Sequence, residues 1–272
     1  MLSSAISYLF VPASRPERYG RALAAGADRV IIDLEDAVAP EDKDSSLKQL
    51  IAALSAGMDA PVHVRINADD SFLFERDLAA LAALPEVARA GLSGVVLPKV
   101  EDPASVMRIR KLLGEEIELV ALVESALGLS RVRSIARTPG LSRLALGAVD
   151  LSFDLDAEIA SATIDHAYAT LVLESRLAGL PAPIASPPLS IQDPEGIETG
   201  ARRLRSLGLT AQLCIHPAQV EPIHAGFLPS DELLVWAQNV LTSDAGAAQI
   251  DGQMVDKPVR DRAKRILAQR NH

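Results

Sequence analysis

Short apolar, β-branched runs alternate with longer Ala-, Leu- and Arg-rich stretches along most of this chain. The runs at 6–11 (ISYLFV), 29–35 (RVIIDLE), 62–67 (VHVRIN), 94–100 (GVVLPKV), 118–124 (ELVALVE) and 143–149 (RLALGAV) have the length and near-continuous apolarity of buried parallel strands. Two weaker runs, 183–188 (PIASPP) and 212–217 (QLCIHP), bring the total to about eight. The prolines of the seventh also suit an irregular loop. Helix-start signals open the stretches between them. Ser14-Arg15-Pro16-Glu17 has the form of a capping box, and Asp102-Pro103 and Asp193-Pro194 each open a further helix. Alternation of strand and helix implies a parallel sheet with right-handed crossovers. Eight such units predict an α/β fold of the (β/α)8 TIM-barrel type rather than an open doubly wound sheet. A helix near 231–242 follows the last strand, and the Asp244-Ala245-Gly246 turn then suggests a break. The expected division is a barrel over 1–243 and a short C-terminal helical and loop appendage over 244–272.

In a barrel of this kind the active site lies at the C-terminal ends of the strands. Those ends carry charge repeatedly: Asp33, Glu35 and Asp36 after the second run, Arg65 and Asn67 in the third, Lys99 in the fourth, Glu124 in the fifth, Asp150 after the sixth and His216 in the eighth. Glu124 and Asp150 are one helix-plus-strand unit apart, and neighbouring parallel strands lie about 4.8 Å apart, so both carboxylates face one point at the mouth. Two carboxylates this close repel unless a proton or a cation lies between them. With no cysteine or histidine near them in the sequence, a hard cation is the natural guest, and Mg2+ fits two carboxylates with its other positions left to water and substrate. Strand-end caps or ion pairs with Arg and Lys remain an equal alternative.

Strand alternation places His63, Arg65 and Asn67 on one face of the third run. An inward arginine at a barrel mouth can hold a carboxylate by two parallel hydrogen bonds. A salt bridge to Asp33, Glu35 or Asp36 is the competing reading, and the two are compatible. Lys99 admits a Schiff-base role, although an electrostatic role or a salt bridge is favoured. His216, before a proline, is read as a fixed hydrogen-bonding residue ahead of a base.

Composition narrows the classes. Of 272 residues 49% are hydrophobic, enough for a core, but only 3% are aromatic, too few for a single-strand nucleic-acid platform. The net charge of −9 does not favour a nucleic-acid or anionic membrane partner. The single cysteine, Cys214, excludes an intrachain disulfide framework. No apolar run reaches the length of a membrane span, and the N-terminal residues lack a basic export-signal region, so a cytoplasmic location is expected. Gly-rich phosphate loops, zinc-protease motifs and the serine nucleophile elbow are all missing.

The opening, SYLFVPASRPERYGRALAAGADRVIIDLEDAVAPEDK, resembles that of the citrate lyase β-subunit-like (CitE-like) branch of the HpcH/HpaI aldolase/citrate lyase superfamily. VRIN, VVLPKVED, ALVESALGL, LGAVDL, CIHPAQVEPIHAGFLPSDE and DGQMVDKP continue the match in order over nearly the whole chain. The resemblance implies a Mg2+-dependent barrel enzyme that makes or breaks a carbon–carbon bond in a 3-hydroxyacyl thioester such as malyl-, methylmalyl-, citramalyl- or citryl-CoA, releasing an oxo acid. It assigns Glu124 and Asp150 as metal ligands and Arg65 to the oxo-acid carboxylate. Asp256, in GQMVDKP, resembles an aspartate that some relatives bring from a neighbouring subunit of a homotrimer as acid or base. Arg15 and Lys99 are candidates for contact with the CoA-type handle or the substrate carbonyl. An acyl-CoA thioesterase on the same metal site, a Schiff-base aldolase using Lys99, and a lyase subunit or binding relative dependent on an acyl-carrier protein are the alternatives. Asp156 stands where the family pattern has a glycine that serves a tight turn.

Overall fold

The computed structural model describes residues 5–243, 249–250 and 253–268. Eight parallel strands close into a barrel in chain order: β1 (Ser7–Pro12), β2 (Arg29–Asp33), β3 (Val62–Arg65), β4 (Leu92–Leu97), β5 (Glu118–Val123), β6 (Arg143–Leu146), β7 (Ile184–Ala185) and β8 (Ala211–Cys214). The seam closes by parallel pairing of β1 with β8. The proline-flanked seventh run is a strand of only two residues, which pair with Ala145 on one side and with Ala211 and Gln212 on the other. Proline cannot donate to a ladder, so its neighbours limit the strand to Ile184 and Ala185.

Both faces of each strand are covered. Residues such as Tyr8, Ile31, Val96, Val120 and Leu213 fill the interior. Their sequence neighbours, including Leu9, Ile32, Val95, Leu119 and Leu144, join the larger core under the helices. This two-sided burial is why the strands read as continuous rather than alternating apolar runs.

Two of the helix starts form as the sequence predicts. The Asp102 side chain accepts from the N–H of Ala104 at 2.8 Å, and that of Asp193 from Gly196 at 2.9 Å. The expected capping box at Ser14 does not form. A 3-10 turn spans Pro16–Arg18 with Arg15 at its N-cap and no side-chain cap bond. The cap therefore falls one residue later than the Ser14–Glu17 spacing requires.

A polar cluster occupies the N-terminal end of the barrel. The Tyr8 hydroxyl donates to Glu118 Oε1 at 3.0 Å, and His63 Nε2 lies 3.0 Å from Glu118 Oε2. The fully buried Arg143 spends its guanidinium on the carbonyls of Ala182 and Ala5, the Tyr8 hydroxyl and Thr210 Oγ1. These partners belong to, or immediately precede, β1, β7 and β8, so Arg143 fastens the closing seam. Gly94 is required beside this cluster, because a Cβ there would come within 2.4 Å of the His63 ring.

Beyond the barrel, the helix Asp231–Thr242 packs against the C-terminal helix Lys257–Ala268. Ala237, Val240, Val255, Ala263 and Ile266 form a cluster separate from the barrel core. The Asp244–Gly246 turn read as a break lies outside the described residues. Among the described residues no helix is long and apolar enough to cross a membrane.

Candidate active site

The charged strand ends converge at the C-terminal mouth. A cavity of about 240 Å³ there is lined by Phe10, Pro12, Asp33, Asp36, Arg65, Leu122, Glu124, Gly147, Asp150, Ser186, Leu213 and Ile215, among others. Glu124 and Asp150 also line an adjoining cavity of about 460 Å³, together with Asp69, Asp70, Lys99, Glu101, Phe153 and Asp154. The floor is apolar and the rim is largely acidic.

Glu124 follows β5 directly and is only 6% exposed. Asp150 lies in the first turn of the short helix Ala148–Asp154 that follows β6. Burial, and then the charge of Asp150, push the Glu124 carboxyl up to about 8. One Glu124 oxygen, Oε1, accepts the backbone N–H of Lys99 at 2.8 Å. Gly147 leaves room for the other, since a Cβ at 147 would lie 2.3 Å from Glu124 Oε2. The turn that carries Gly147 and Asp150 is tied down by Ser186: its Oγ donates to the carbonyl of Leu146 and accepts from the N–H of Ala148.

Arg65 comes in from β3 and forks onto Asp33, with Nε to Oδ1 at 2.7 Å and Nη2 to Oδ2 at 2.6 Å. Glu35 Oε2 lies 3.1 Å from Nη1. Burial alone would lower the pKa of this guanidinium, but Asp33 and Glu35 outweigh it and hold the group charged. A guanidinium has five N–H donors, and Asp33 takes two. The terminal nitrogens keep donors for a ligand in the cavity that Arg65 lines. The guanidinium carbon lies over the Phe10 ring, 4.7 Å from its centroid, in cation–π contact. The sequence-derived salt bridge and a ligand-binding role are thus geometrically compatible.

Lys99 Nζ donates to Glu35 Oε1 at 2.6 Å and lies 3.4 Å from Asp36 Oδ1. Burial works against its charge, yet the Glu35 hydrogen bond and the surrounding carboxylates raise its pKa. A Schiff-base amine must be available unprotonated. The environment of Lys99 does the opposite, which argues against the amine-nucleophile alternative.

Three further sequence candidates line neither of these two cavities, although the pockets of Arg15 and His216 share Pro12 with the first. Arg15 is exposed and 3.7 Å from Glu17, and it lines a shallow pocket with Ser14, Arg18 and Asp42 rather than the mouth cavities. His216 caps a 3-10 turn, its Nδ1 accepting from the N–H of Ala218 at 3.1 Å. Asp256 is exposed before the C-terminal helix, where its Oδ1 accepts from Val259 N–H at 3.1 Å. It lines neither mouth cavity of its own chain.

Sequence reading overlooked the residues that hold the charged ones in place. Lys43 reaches from the helix Lys43–Ala56 to donate to the carbonyls of Leu34 and Glu35 and to Asn67 Oδ1. Buried Asp77 accepts from the side-chain and backbone N–H groups of Asn67. Both lie in charged runs, Glu41–Asp44 and Glu75–Asp77, that read as solvated helix surface, so nothing local sets them apart. Gly147 and Ser186 did carry a signal, as a glycine directly after β6 and three residues before Asp150, and a serine set against a pair of prolines.

The donor set suits a hard divalent cation. Among the described residues no group of three or more His, Cys, Asp or Glu is arranged to hold a metal. Magnesium needs only one or two carboxylates when waters and substrate supply the rest. Glu124 and Asp150 offer that number, and their mutual repulsion is what a cation would relieve.

Comparison with known proteins identifies the family. The family model described as HpcH/HpaI aldolase/citrate lyase matches residues 7–217. A citrate lyase subunit beta-like protein of Mycobacterium tuberculosis is 36% identical over 96% of this chain and 93% of its own length. The L-malyl-CoA/beta-methylmalyl-CoA lyase of Cereibacter sphaeroides is 30% identical over 92% of this chain and 87% of its own. Among solved structures, CitE of M. tuberculosis in complex with magnesium, acetoacetate and coenzyme A superposes with a TM-score of 0.84 at 32% identity, covering 98% of both chains. The barrel, its mouth chemistry and these likenesses together place the chain in the HpcH/HpaI aldolase/citrate lyase family.

Proposed function

We propose that this protein is a Mg2+-dependent carbon–carbon lyase that cleaves a 3-hydroxyacyl-CoA thioester into an oxo acid and an acyl-CoA. The observation that carries the reading is that the buried Glu124 and Asp150 line one cavity together with Arg65. The likeness to malyl-CoA lyase and to a CitE complex with magnesium and coenzyme A supports the choice of metal and handle.

Glu124 and Asp150 would hold the cation, and a Mg2+ ion bound there would supply a Lewis acid for the substrate hydroxyl. Arg65 neutralises the adjacent carboxylate of the hydroxy acid and orients it, while Asp33 and Glu35 keep the guanidinium from following the substrate out. Phe10, Leu122 and Leu213 line the floor and keep water from the reacting carbons. The hydroxyl proton passes to water at the open mouth, and the electron pair it leaves on oxygen forms the new C=O. The carbon–carbon bond breaks, and its electrons pass into the thioester as an enolate. The enolate carbon then takes a proton, which leaves the oxo acid and the acyl thioester. Asp256 of a neighbouring subunit is the proposed group for that transfer, working in the reverse direction as the base. Support for its origin in trans is that Asp256 lines neither mouth cavity of its own chain.

The test is a panel of malyl-, methylmalyl-, citramalyl- and citryl-CoA, with oxo acid and free thiol measured separately. Cleavage of at least one, abolished by EDTA and restored by Mg2+, with oxo acid and no free CoA released, is the expected outcome. Free thiol without oxo acid identifies a thioesterase instead. Inactivity on all four, regained when the same acyl groups ride on an acyl-carrier protein, moves the handle from CoA to the carrier.

A further inference from the structure

Lys99 has φ 51°, and with Asp156 it is one of two non-glycine residues at positive φ among the described residues. The left-handed region is costly for an L-residue, so something must hold Lys99 there. The ladder between β4 and β5 shows what the turn accomplishes. Leu97 pairs with Ala121. Elsewhere in this barrel, the residue after a paired one donates to the carbonyl opposite, as Leu34 N–H does to Arg65 beside the Asp33–Arg65 pair. Continued regularly past Leu97, that pattern assigns the Leu122 carbonyl to the N–H of Lys99. The donor to Leu122 is instead Val100, at 3.2 Å. One residue has been bulged out, and the N–H of Lys99 is surplus to the ladder. It donates to Glu124 Oε1.

The other end of the same residue works on the opposite wall. Its ammonium holds Glu35 Oε1, and Glu35 Oε2 faces Arg65 Nη1. We infer that Lys99 is a positioning residue that couples the two halves of the site: its bulged backbone N–H fixes the Glu124 carboxylate, and its ammonium, through Glu35, fixes Arg65. The inference rests on Glu124 being a metal ligand. The ammonium clamp also keeps the backbone in its left-handed turn, so the two actions depend on each other. Glycine adopts that turn without a clamp. Alanine does not.

The experiment compares Lys99→Gly and Lys99→Ala with wild type and Glu124→Gln, reading Mg2+ affinity by titration calorimetry without substrate. Thermal melts establish that each variant is folded. Lys99→Gly keeps Mg2+ affinity within about twofold, whereas Lys99→Ala loses roughly tenfold because its backbone relaxes out of the left-handed region. In the condensation direction both variants raise KM for the oxo acid, since Glu35 no longer braces Arg65, and kcat falls further in Lys99→Ala. Equal loss of Mg2+ affinity in the two variants, or no loss in either, overturns the inference. Glu124→Gln separates the two levels. If it abolishes Mg2+ binding while both Lys99 variants bind normally, only the coupling role of Lys99 fails. If it binds Mg2+ like wild type, the ligand assignment fails and takes the inference with it.

Discussion

At the scale of single residues the site depends on backbone as much as on charge. Gly147 is an example: the nearest approach of a Cβ there is 2.3 Å, to Glu124 Oε2, closer than any real contact tolerates. Gly147→Ala must therefore move the carboxylate. Mg2+ affinity should fall about 10- to 100-fold, the usual cost of disturbing a group that orients a metal ligand. A melt within a few degrees of wild type, alongside that loss in calorimetry, checks that the effect is local. An unchanged affinity would show that Glu124 does not need its present position. Asp156 makes a related point. It adopts φ 50°, in the left-handed region that glycine enters most readily, just after the helix Ala148–Asp154. Much of the site was legible in the sequence because Arg65, Lys99, Glu124 and Asp150 terminate or follow apolar runs, where a charge has no reason to be unless something meets it. The φ of Lys99 and the reach of Lys43 were not legible, because each depends on a register or a helix packing that forms only when the barrel closes.

At the scale of elements, the apolar runs marked all eight strands, because burial on both faces leaves little room for polar residues inside them. Their ends were less legible: the structure stops most of them at or before the charged residue that closes the run, and the Ser14 cap moved to Arg15. The polar cluster at the N-terminal end was not foreseen. His63 shares a strand face with Arg65, but its partner Glu118 opens β5, and only strand register brings them together. Burial works to raise the Glu118 pKa, but the His63 hydrogen bond and charge, the Tyr8 hydroxyl and Arg29 pull it down to about 2. A lowered carboxylate pKa means that its stabilisation is full above about pH 4.5 and is lost as pH falls toward 2. The fall from 4.5 to about 2 corresponds to roughly 3 kcal/mol at neutral pH. Glu118→Gln should lose that amount in urea unfolding at pH 7, and its deficit should shrink as both proteins are taken below pH 4.5. A deficit that stays constant with pH would assign the cost to packing rather than to charge.

At the scale of the whole molecule, a barrel polar at both ends divides its labour. The N-terminal cluster fastens the seam through Arg143, and the mouth gathers carboxylates that repel one another unless a cation joins them. The C-terminal helix pair has its own apolar cluster, and Asp256 lies before its last helix. If Asp256 serves a neighbour's mouth, a mixture of inactive Asp256→Asn and inactive Arg65→Ala proteins should regain a fraction of wild-type activity after subunit exchange, because mixed assemblies pair an intact mouth with an intact aspartate. No recovery, with exchange verified by mass spectrometry, would confine each site to its own chain. The central claim, that Glu124 and Asp150 together grip a divalent ion, has a more direct test. Crystals grown with Mn2+ in place of Mg2+ and measured at the manganese absorption edge should show one strong anomalous peak within coordination distance, about 2.2 Å, of a carboxylate oxygen from each residue. A saturated crystal with no peak between them, or with the peak elsewhere in the barrel, contradicts the account.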